Sequence, residues 1–305
     1  MLIWFMHGAS VRHPTYADPL RTRLIEELTA RSLPIPEFYS GFWGDAFGNT
    51  NEIWEFVQQD LEAFRWDNPL VDIDDIFHYR QRREQLISGF FHDIFKYLST
   101  QHGKEIRRTV ARQFLNFLTD NPFEEELHIV VHSLSSVILW DILFSEAYSS
   151  SDPSYYIRSA IQGLSDSSKG RKVKLQSITT LGCPLLIFKQ LIHLDGDRLT
   201  QFANRSVGIP LRWINVIHAS DVFAYPLRAS FNLEDETLFF RDHYLGERNF
   251  LKKSIGDVAM ALGLMTDHSR YWRSVRVNKL VMANLLGEYD VLAMNSPVID
   301  FGGID

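Results

Sequence analysis

Short apolar runs that end in small or turn-forming residues alternate along this sequence with longer segments of helical periodicity. A strand buried on both faces has a continuous apolar sequence, and two parallel strands are usually connected by a helix. The pattern therefore predicts an α/β fold with a mostly parallel central sheet and helices on both faces. The predicted strands are Leu2–Met6, Glu37–Tyr39, Glu126–Val131, Val173–Thr180, Leu211–Ile217 and Thr237–Phe240. The predicted helices are Pro19–Arg31, Glu52–Arg65, Gln85–Leu98, Lys104–Leu118, Leu134–Tyr148 and Tyr271–Leu286.

The charge and length of the chain exclude several classes of protein. Its 305 residues include 31 Lys and Arg against 38 Asp and Glu, a formal net charge of −7. Because the longest basic cluster is only Arg80, Arg82 and Arg83, nucleic acid is not an expected partner. No apolar run approaches the ~20 residues of a transmembrane helix, so no membrane span is expected. We expect a single domain over residues 1–305, and the sequence does not indicate its oligomeric state.

Two further features bear on the compartment. Cys183 is the only cysteine, so the chain forms no intramolecular disulfide, which is typical of proteins in a reducing compartment. The first apolar run, Leu2–Met6, is shorter than the apolar region of a secretory signal and has no basic segment before it. We therefore expect a cytoplasmic protein.

The tripeptide His132-Ser133-Leu134 lies between a predicted strand and a predicted helix. A serine on a sharp turn of this kind holds its Oγ clear of the sheet, and the next backbone amide points to where an oxyanion would form. In the nucleophile-elbow pattern GxSxG, Val131 and Ser135 occupy the two glycine positions of this chain. Taken alone, the tripeptide is more typical of a helix entry capped by serine.

Other strand ends supply the remaining groups that a serine hydrolase needs. Leu2–Met6 runs into Gly8, where the backbone can approach a substrate closely and the amide of Ala9 can face an oxyanion. Asp221 follows the strand Leu211–Ile217 and is the candidate acid, and His268 precedes the last predicted helix and is the candidate base. Taken alone, each is more often an ordinary turn, cap or core residue. Asp242, after Thr237–Phe240, is the rival acid.

Together these segments resemble the α/β hydrolase superfamily, particularly its lipase-like and GPI inositol deacylase-like serine hydrolases. The motifs that carry the resemblance are FMHGAS, FWGD, VVHSLSSVILWD, TTLGCPL, WINVIHASDVFAYPL and DHSRYW, against family versions near FVHG, GHSLGS, TxGSP, WxNxxxxxD and HSxYW. The resemblance covers nearly the whole chain. It implies an α/β hydrolase fold in a compact version that begins at the HG-bearing strand and lacks two opening antiparallel strands.

The resemblance also implies a role for each motif residue. Ser133 would be the nucleophile, Asp221 the acid and His268 the base, and the amides of Ala9 and Leu134 would form the oxyanion hole. The chain departs from the family pattern at three positions. Val131 and Ser135 replace the elbow glycines and could lower activity, and Cys183 replaces a serine and is expected to lie behind the site.

These roles predict hydrolysis of a carboxylic ester, lipid-like or another acyl ester, without a metal or cofactor. His7, His13, His78 and His92 are too scattered to be metal ligands. We expect the substrate to meet Gly8 and the entrance to be lined by Trp43, Phe223 and Tyr225. Helical insertions at about 50–103 and 245–266 are possible caps over the site. The first insertion carries an apolar stripe that we interpret as core packing, with a cap over an acyl pocket as the alternative: Phe90, Phe91, Ile94, Phe95 and Leu98.

Two other functions remain open at this point. A chain whose elbow has drifted to Val131 and Ser135 could be an inactive binding or scaffold protein with the same fold. The same three side chains could also transfer an acyl group to an alcohol or amine instead of water.

Overall fold

The structure is a computed structural model of the chain. It describes residues 1–44, 51–70, 72, 88, 91–145, 149–165, 170–189, 194–205, 210–231, 238–246, 268, 270–294 and 298–299. Of residues 51–53 and 298–299 it describes the backbone alone.

Six parallel strands form the central sheet. They are β1 (Leu2–Met6), β2 (Glu37–Gly41), β3 (Glu126–His132), β4 (Lys174–Leu181), β5 (Leu211–His218) and β6 (Leu238–Gly246). A two-residue strand, β7 (Val298–Ile299), pairs in parallel with the end of β6, and the order across the sheet is β2-β1-β3-β4-β5-β6-β7. All strand pairs in the described residues are parallel.

The described helices lie between the strands along the chain. They are α1 (Asp18–Ala30), α2 (Asn51–Asp67), α3 (His92–Leu98), α4 (Thr100–Asp120), α5 (Leu134–Phe144), α6 (Ser154–Ala160), α7 (Leu185–Phe188), α8 (Asp197–Arg205), α9 (Val275–Leu286) and α10 (Tyr289–Ala293). Short 3₁₀ turns occupy Pro14–Ala17, Ala229–Phe231 and Tyr271–Arg273. None of the described helices is both long and apolar enough to cross a lipid bilayer.

Alternate residues of β1 belong to two different cores, as expected for a strand covered on both faces. Trp4 packs with α4 and α5 on one face, where its ring stacks on Phe114 of α4 at 4.4 Å. Phe5 packs with α1 and α9 on the other face, and its ring meets Trp272 edge to face at 5.7 Å. Helices therefore cover both faces of the sheet, as the sequence predicts.

The strand order changes direction at β1. From β1 the chain crosses to β2 on one side, and β3 then pairs with β1 on the other side. In open α/β sheets, ligands bind outside the carboxyl ends of the strands at such a switch point. Here those ends carry His7-Gly8 after β1 and His132-Ser133 at the end of β3.

All six predicted strands are present, but several element boundaries differ. β6 extends to Gly246, so Asp242 lies inside a strand and not after one. The predicted helix Tyr271–Leu286 is interrupted at Ser274, whose extended backbone and hydroxyl cap α9 through the amide of Val277. Of the predicted helix Gln85–Leu98, the structure describes residues 88 and 91, which are π-helical, and α3. Residues 146–148 of the predicted Leu134–Tyr148 lie outside the described residues.

The apolar stripe of the first insertion is not core packing, which corrects the expectation from the sequence. Phe91, Phe95 and Leu98 are 38%, 67% and 39% exposed, and only Ile94 packs partly against the core. The buried face of α3 instead carries Asp93 and Tyr97, because these side chains hydrogen-bond to other elements. Phe90 and most of the second insertion, residues 247–266, lie outside the described residues.

Candidate active site

Ser133 stands between β3 and α5 in a strained backbone conformation. Its φ is 52° and its ψ is −125°, a region that L-residues other than glycine rarely adopt and that costs on the order of 1–3 kcal/mol. The turn is held by neighbouring groups: the Ser133 amide donates to Leu181 O at 2.9 Å, and its carbonyl accepts from the Ser136 amide at 2.9 Å and from the Ser136 hydroxyl at 2.7 Å. This is the sharp strand-to-helix turn expected of a nucleophile elbow.

The fold brings the three predicted catalytic side chains together. His268 Nε2 lies 2.7 Å from Ser133 Oγ, and His268 Nδ1 lies 2.8 Å from Asp221 Oδ2. With the Nδ1 hydrogen donated to the carboxylate, Nε2 accepts the hydrogen of the serine hydroxyl. The three residues are 1%, 4% and 7% exposed in the order Ser133, Asp221, His268. His132 Nε2 donates to the carbonyl of His268 at 2.6 Å and so holds the base in place.

Asp221 is surrounded by donors. Its Oδ2 also accepts from Tyr271 Oη at 2.8 Å, and its Oδ1 accepts from the Phe223 amide at 3.0 Å. Burial by itself raises the pKa of Asp221, but the hydrogen bonds and charge of His268, with those from Tyr271 and Phe223, lower that pKa on balance. The carboxylate is therefore ionised at neutral pH.

Asp242, the rival acid, is used elsewhere. Its Oδ1 accepts from Asn215 Nδ2 at 2.7 Å and from the Leu227 amide at 3.1 Å, and its Oδ2 accepts from the Arg228 amide at 3.2 Å. It joins β6 to β5 and to the loop after β5. The geometry therefore favours Asp221 as the partner of His268.

Gly8 is in close contact with Ser133, the candidate nucleophile. A Cβ at this position would lie 2.6 Å from Ser133 Cβ and 2.8 Å from His132 Nδ1, so no other residue fits without displacing the elbow. In the described part of the chain, neither the Ala9 amide nor the Leu134 amide makes a hydrogen bond. Ala9 directly follows Gly8, which packs against Ser133, and Leu134 directly follows Ser133, so both residues adjoin the candidate nucleophile.

Ser135 and Val131, in place of the elbow glycines, are accommodated by specific contacts. Ser135 Oγ accepts from Trp43 Nε1 at 3.0 Å and donates to His7 O, so it ties the end of β1 to α5. Val131 is a fully buried strand residue in the core beneath α5. Trp43 is only 1% exposed and stacks on His7 at 4.2 Å. This corrects the expectation that Trp43 lines an entrance, because its indole lies beneath the elbow.

The other predicted positions take different roles. Phe223 lies beside the base, with its ring edge-on to His268 at 5.1 Å. The side chain of Tyr225 is 36% exposed, and its backbone is tied to Cys183 and Asn215. Cys183 is fully buried behind the elbow, where its Sγ donates to Ser136 Oγ at 3.2 Å, and burial raises the pKa of the thiol to about 12. This position agrees with the expectation that Cys183 lies behind the site.

Sequence reasoning missed two residues that shape the site, Gly182 and Tyr271. Gly182 has a φ of +57°, and a Cβ there would lie 2.8 Å from Asp221 Oδ2, 2.8 Å from Tyr271 Cε2 and 3.2 Å from His268 Cε1. Tyr271 Oη links Asp221 to the amide of His218, from which it accepts at 2.9 Å. Gly182 belongs to the motif TTLGCPL and Tyr271 to DHSRYW, so their membership of these motifs could have identified them.

Replacing Gly182 with alanine is expected to lower kcat by about 100-fold. The added methyl group would lie only 2.8 Å from Asp221 Oδ2 and 3.2 Å from His268 Cε1, so it displaces both side chains. The matched control is Gly287→Ala. Gly287 also has a positive φ, +69°, but its nearest potential contact is Arg212 at 3.5 Å. In both variants the free energy of unfolding should fall by about 1–2 kcal/mol, because alanine is strained at a positive φ. Only Gly182→Ala should lose activity in steady-state assays. Equal activity in the two variants would contradict the crowding argument.

Four buried histidines make the stability of the protein sensitive to acid. Burial lowers the pKa of His7, His128 and His132 from 6.5 to about 3, and that of His243 to about 4. Their stabilisation is fully present above the unfolded pKa of about 6.5 and is lost as the pH falls from there toward the folded pKa values, since the unfolded chain binds the protons first. The free energy of unfolding should fall by about 5 kcal/mol between a pH of about 7.5 and about 5.5, measured by urea denaturation. His128→Gln should reduce this fall by about one quarter, and an unchanged pH dependence would contradict the assignment.

Among the described residues, no group of three His, Cys, Asp or Glu side chains could hold a metal ion. The arrangement of a hydroxyl, an imidazole and a carboxylate beside two backbone amides can perform nucleophilic acyl transfer without one. Comparison of the chain with models of known protein families and with curated protein sequences finds no match. Inference about function therefore rests on the geometry around Ser133.

Proposed function

We propose that this chain is a serine hydrolase of α/β hydrolase fold that cleaves a carboxylic ester through an acyl-enzyme intermediate. The observation that carries the proposal is the connected series Ser133–His268–Asp221, with distances of 2.7 and 2.8 Å, on a strained elbow. A serine keeps a backbone φ of 52° only when the surrounding structure enforces that conformation, and strained residues of this kind are concentrated at functional sites.

In the first half-reaction, Ser133 Oγ attacks the acyl carbonyl carbon while its proton passes to His268 Nε2. The amides of Ala9 and Leu134 stabilise the oxyanion of the tetrahedral intermediate, and Asp221 stabilises the imidazolium. When the intermediate collapses, the bond between the acyl carbon and the leaving oxygen breaks. The departing alcohol takes the proton from His268.

In the second half-reaction, water attacks the acyl-enzyme and gives its proton to His268 Nε2. Collapse of the second intermediate breaks the bond to Ser133 Oγ, which recovers the proton, and the carboxylic acid is released. Every proton is returned, so the chemistry requires no cofactor.

Apolar surface near the site supports a lipid-like or other apolar acyl group. Phe223 lies against His268. Phe91, which immediately precedes α3, and Phe95 within it are exposed, and their rings stack at 6.2 Å. α3 also contacts the loop after β1 through Asp93, so the helix beside this apolar surface is attached to the loop that carries Ala9. A charged acyl group would find less complementary surroundings here.

The proposal is tested by rapid kinetics of p-nitrophenyl esters from acetate to laurate. We expect a burst of about one p-nitrophenol per protein molecule, followed by slower turnover, because p-nitrophenol leaves during acylation and the slower deacylation then limits the rate. Addition of an alcohol or amine acceptor divides the product between acid and transferred acyl group, which separates hydrolysis from acyl transfer. Release of p-nitrophenol at the buffer rate by well-folded protein would contradict the proposal and favour an inactive scaffold protein.

A further inference from the structure

α3 connects the two elements that carry the proposed oxyanion amides. Asp93 and Tyr97 are four residues apart and therefore lie on the same face of this helix. They are 0% and 3% exposed, although both are polar. Phe95 and Leu98 of α3 are exposed, as is Phe91 immediately before the helix. The buried face thus consists of polar side chains aimed at other elements.

Asp93 binds the loop after β1. Its Oδ2 accepts from the Ser10 amide at 2.8 Å and from Arg12 Nη1 at 2.9 Å, and its Oδ1 accepts from Arg12 Nη2 at 2.9 Å. Ser10 has a φ of +66°, so the backbone directly after Ala9 is held in a conformation that a serine rarely adopts. The carboxylate of Asp93 therefore fixes the residue next to the amide of Ala9.

Tyr97 binds the helix that begins at the nucleophile. Its Oη donates to Asp141 Oδ2 at 2.6 Å, and Asp141 lies on α5, seven residues after Leu134. α3 is also fixed against α4, because Gly103 of α4 approaches so closely that a Cβ there would lie 2.4 Å from the carbonyl oxygen of Tyr97. α3 is thus attached at three places.

We propose that α3 is a brace that sets the separation between the amides of Ala9 and Leu134, with Asp93 and Tyr97 as positioning residues. This inference rests on the proposed function, since it assigns both amides to one oxyanion. One short helix holds the loop that carries the first amide and the helix that begins with the second. Rate in such a site depends on donor positions to within about 0.5 Å, so an attachment outside the reacting groups affects turnover.

The test compares Asp93→Ala, Asp93→Asn and Tyr97→Phe with wild-type protein. Steady-state hydrolysis of a p-nitrophenyl ester gives kcat and KM. Inhibition by an alkyl trifluoromethyl ketone reports on the oxyanion hole, because Ser133 Oγ adds to the ketone carbon, its proton moves to His268, and the resulting hemiketal oxygen is an anion. The matching carboxylic acid serves as a ground-state competitor.

Loss of a whole oxyanion donor costs about 10²–10³ in kcat, and a displaced donor costs less. We expect Asp93→Ala to lower kcat by about 10- to 100-fold with KM within about twofold of wild type, and to weaken ketone inhibition by the same factor. Affinity for the carboxylic acid should not change. The asparagine of Asp93→Asn can still accept from the Ser10 amide, so its kcat should lie between those of wild type and Asp93→Ala. Tyr97→Phe should lower kcat by about three- to tenfold.

Asp152 provides a matched control for the loss of a buried carboxylate. It accepts from Arg107 Nη2 at 2.8 Å and from the Ser154 amide at 3.0 Å, the same kinds of donor that Asp93 has, but it holds α6. Asp152→Ala should lower the unfolding midpoint and leave kcat per folded molecule unchanged.

Two outcomes would overturn the brace while the proposed function stands. One is wild-type kcat and ketone affinity in folded Asp93→Ala or, if that variant does not fold, in both Asp93→Asn and Tyr97→Phe. The other is an equal loss of kcat in Asp152→Ala. If wild-type protein neither hydrolyses esters nor binds the ketone, the proposed function fails and the brace fails with it.

Discussion

Replacing Ser133 with alanine is expected to lower kcat for ester hydrolysis by at least about 10⁴-fold, to the level left by binding and the oxyanion amides alone. The Ser133 hydroxyl is the group that His268 Nε2 contacts at 2.7 Å, and its removal leaves no atom to form the acyl-enzyme. The burst of p-nitrophenol should disappear together with steady-state turnover. Wild-type protein and Ser133→Ala are measured with the same ester at equal concentrations of folded protein.

Ser177→Ala is the control for loss of a buried serine hydroxyl. Ser177 is 1% exposed on β4 and its Oγ lies 2.7 Å from His128 Nδ1, so its replacement also removes one internal hydrogen bond. That variant should keep wild-type kcat. Turnover by Ser133→Ala close to that of Ser177→Ala would show that another group carries the reaction.

Replacing Asp221 with asparagine is expected to lower kcat by about 10⁴-fold. The carboxylate accepts the Nδ1 hydrogen of His268 at 2.8 Å and so leaves Nε2 able to take the serine proton. An asparagine amide can donate to Nδ1 instead, which places the imidazole hydrogen on Nε2, where it faces Ser133. The loss also removes the negative charge that stabilises the imidazolium. Because the geometry of the pair is retained, KM should change little.

Asp242→Asn distinguishes the two candidate acids. Asp242 also accepts several hydrogen bonds, including one from Asn215 Nδ2 at 2.7 Å, so its replacement is a fair test of general structural damage. We expect this variant to retain turnover per folded molecule. Inactive Asp242→Asn beside active Asp221→Asn would assign the acid to β6.

The sequence is sufficient to predict the sheet and the chemical groups at its edge. Continuous apolar runs determine which segments are buried strands, and parallel strands bring their carboxyl ends to one edge. For that reason the positions of Ser133, Asp221 and His268 after β3, β5 and β6 predict their proximity. The distances that the structure gives, 2.7 and 2.8 Å, agree with that prediction.

Contacts between segments remote in sequence could not be predicted in the same way. Trp43 and α3 each have an apolar pattern, yet Trp43 lies beneath the elbow and α3 exposes Phe95. Trp43 donates a hydrogen bond to Ser135 and Arg12 donates to Asp93, and these polar contacts decide the two orientations. The hydrophobic periodicity of the sequence indicates how apolar a helix face is, but it does not indicate which polar group that face will contact. The role of Gly182 depends likewise on three side chains from distant segments.

Covalent labelling with an alkyl fluorophosphonate tests the central claim, an activated Ser133, without knowledge of the natural substrate. The reagent phosphonylates a serine only when a neighbouring base takes its proton, so the hydrogen bond to His268 must be functional. We predict one adduct per wild-type molecule, located on Ser133 by peptide mass analysis, and none in Ser133→Ala. Folded wild-type protein that remains unlabelled, or a label located on another residue, would contradict the account.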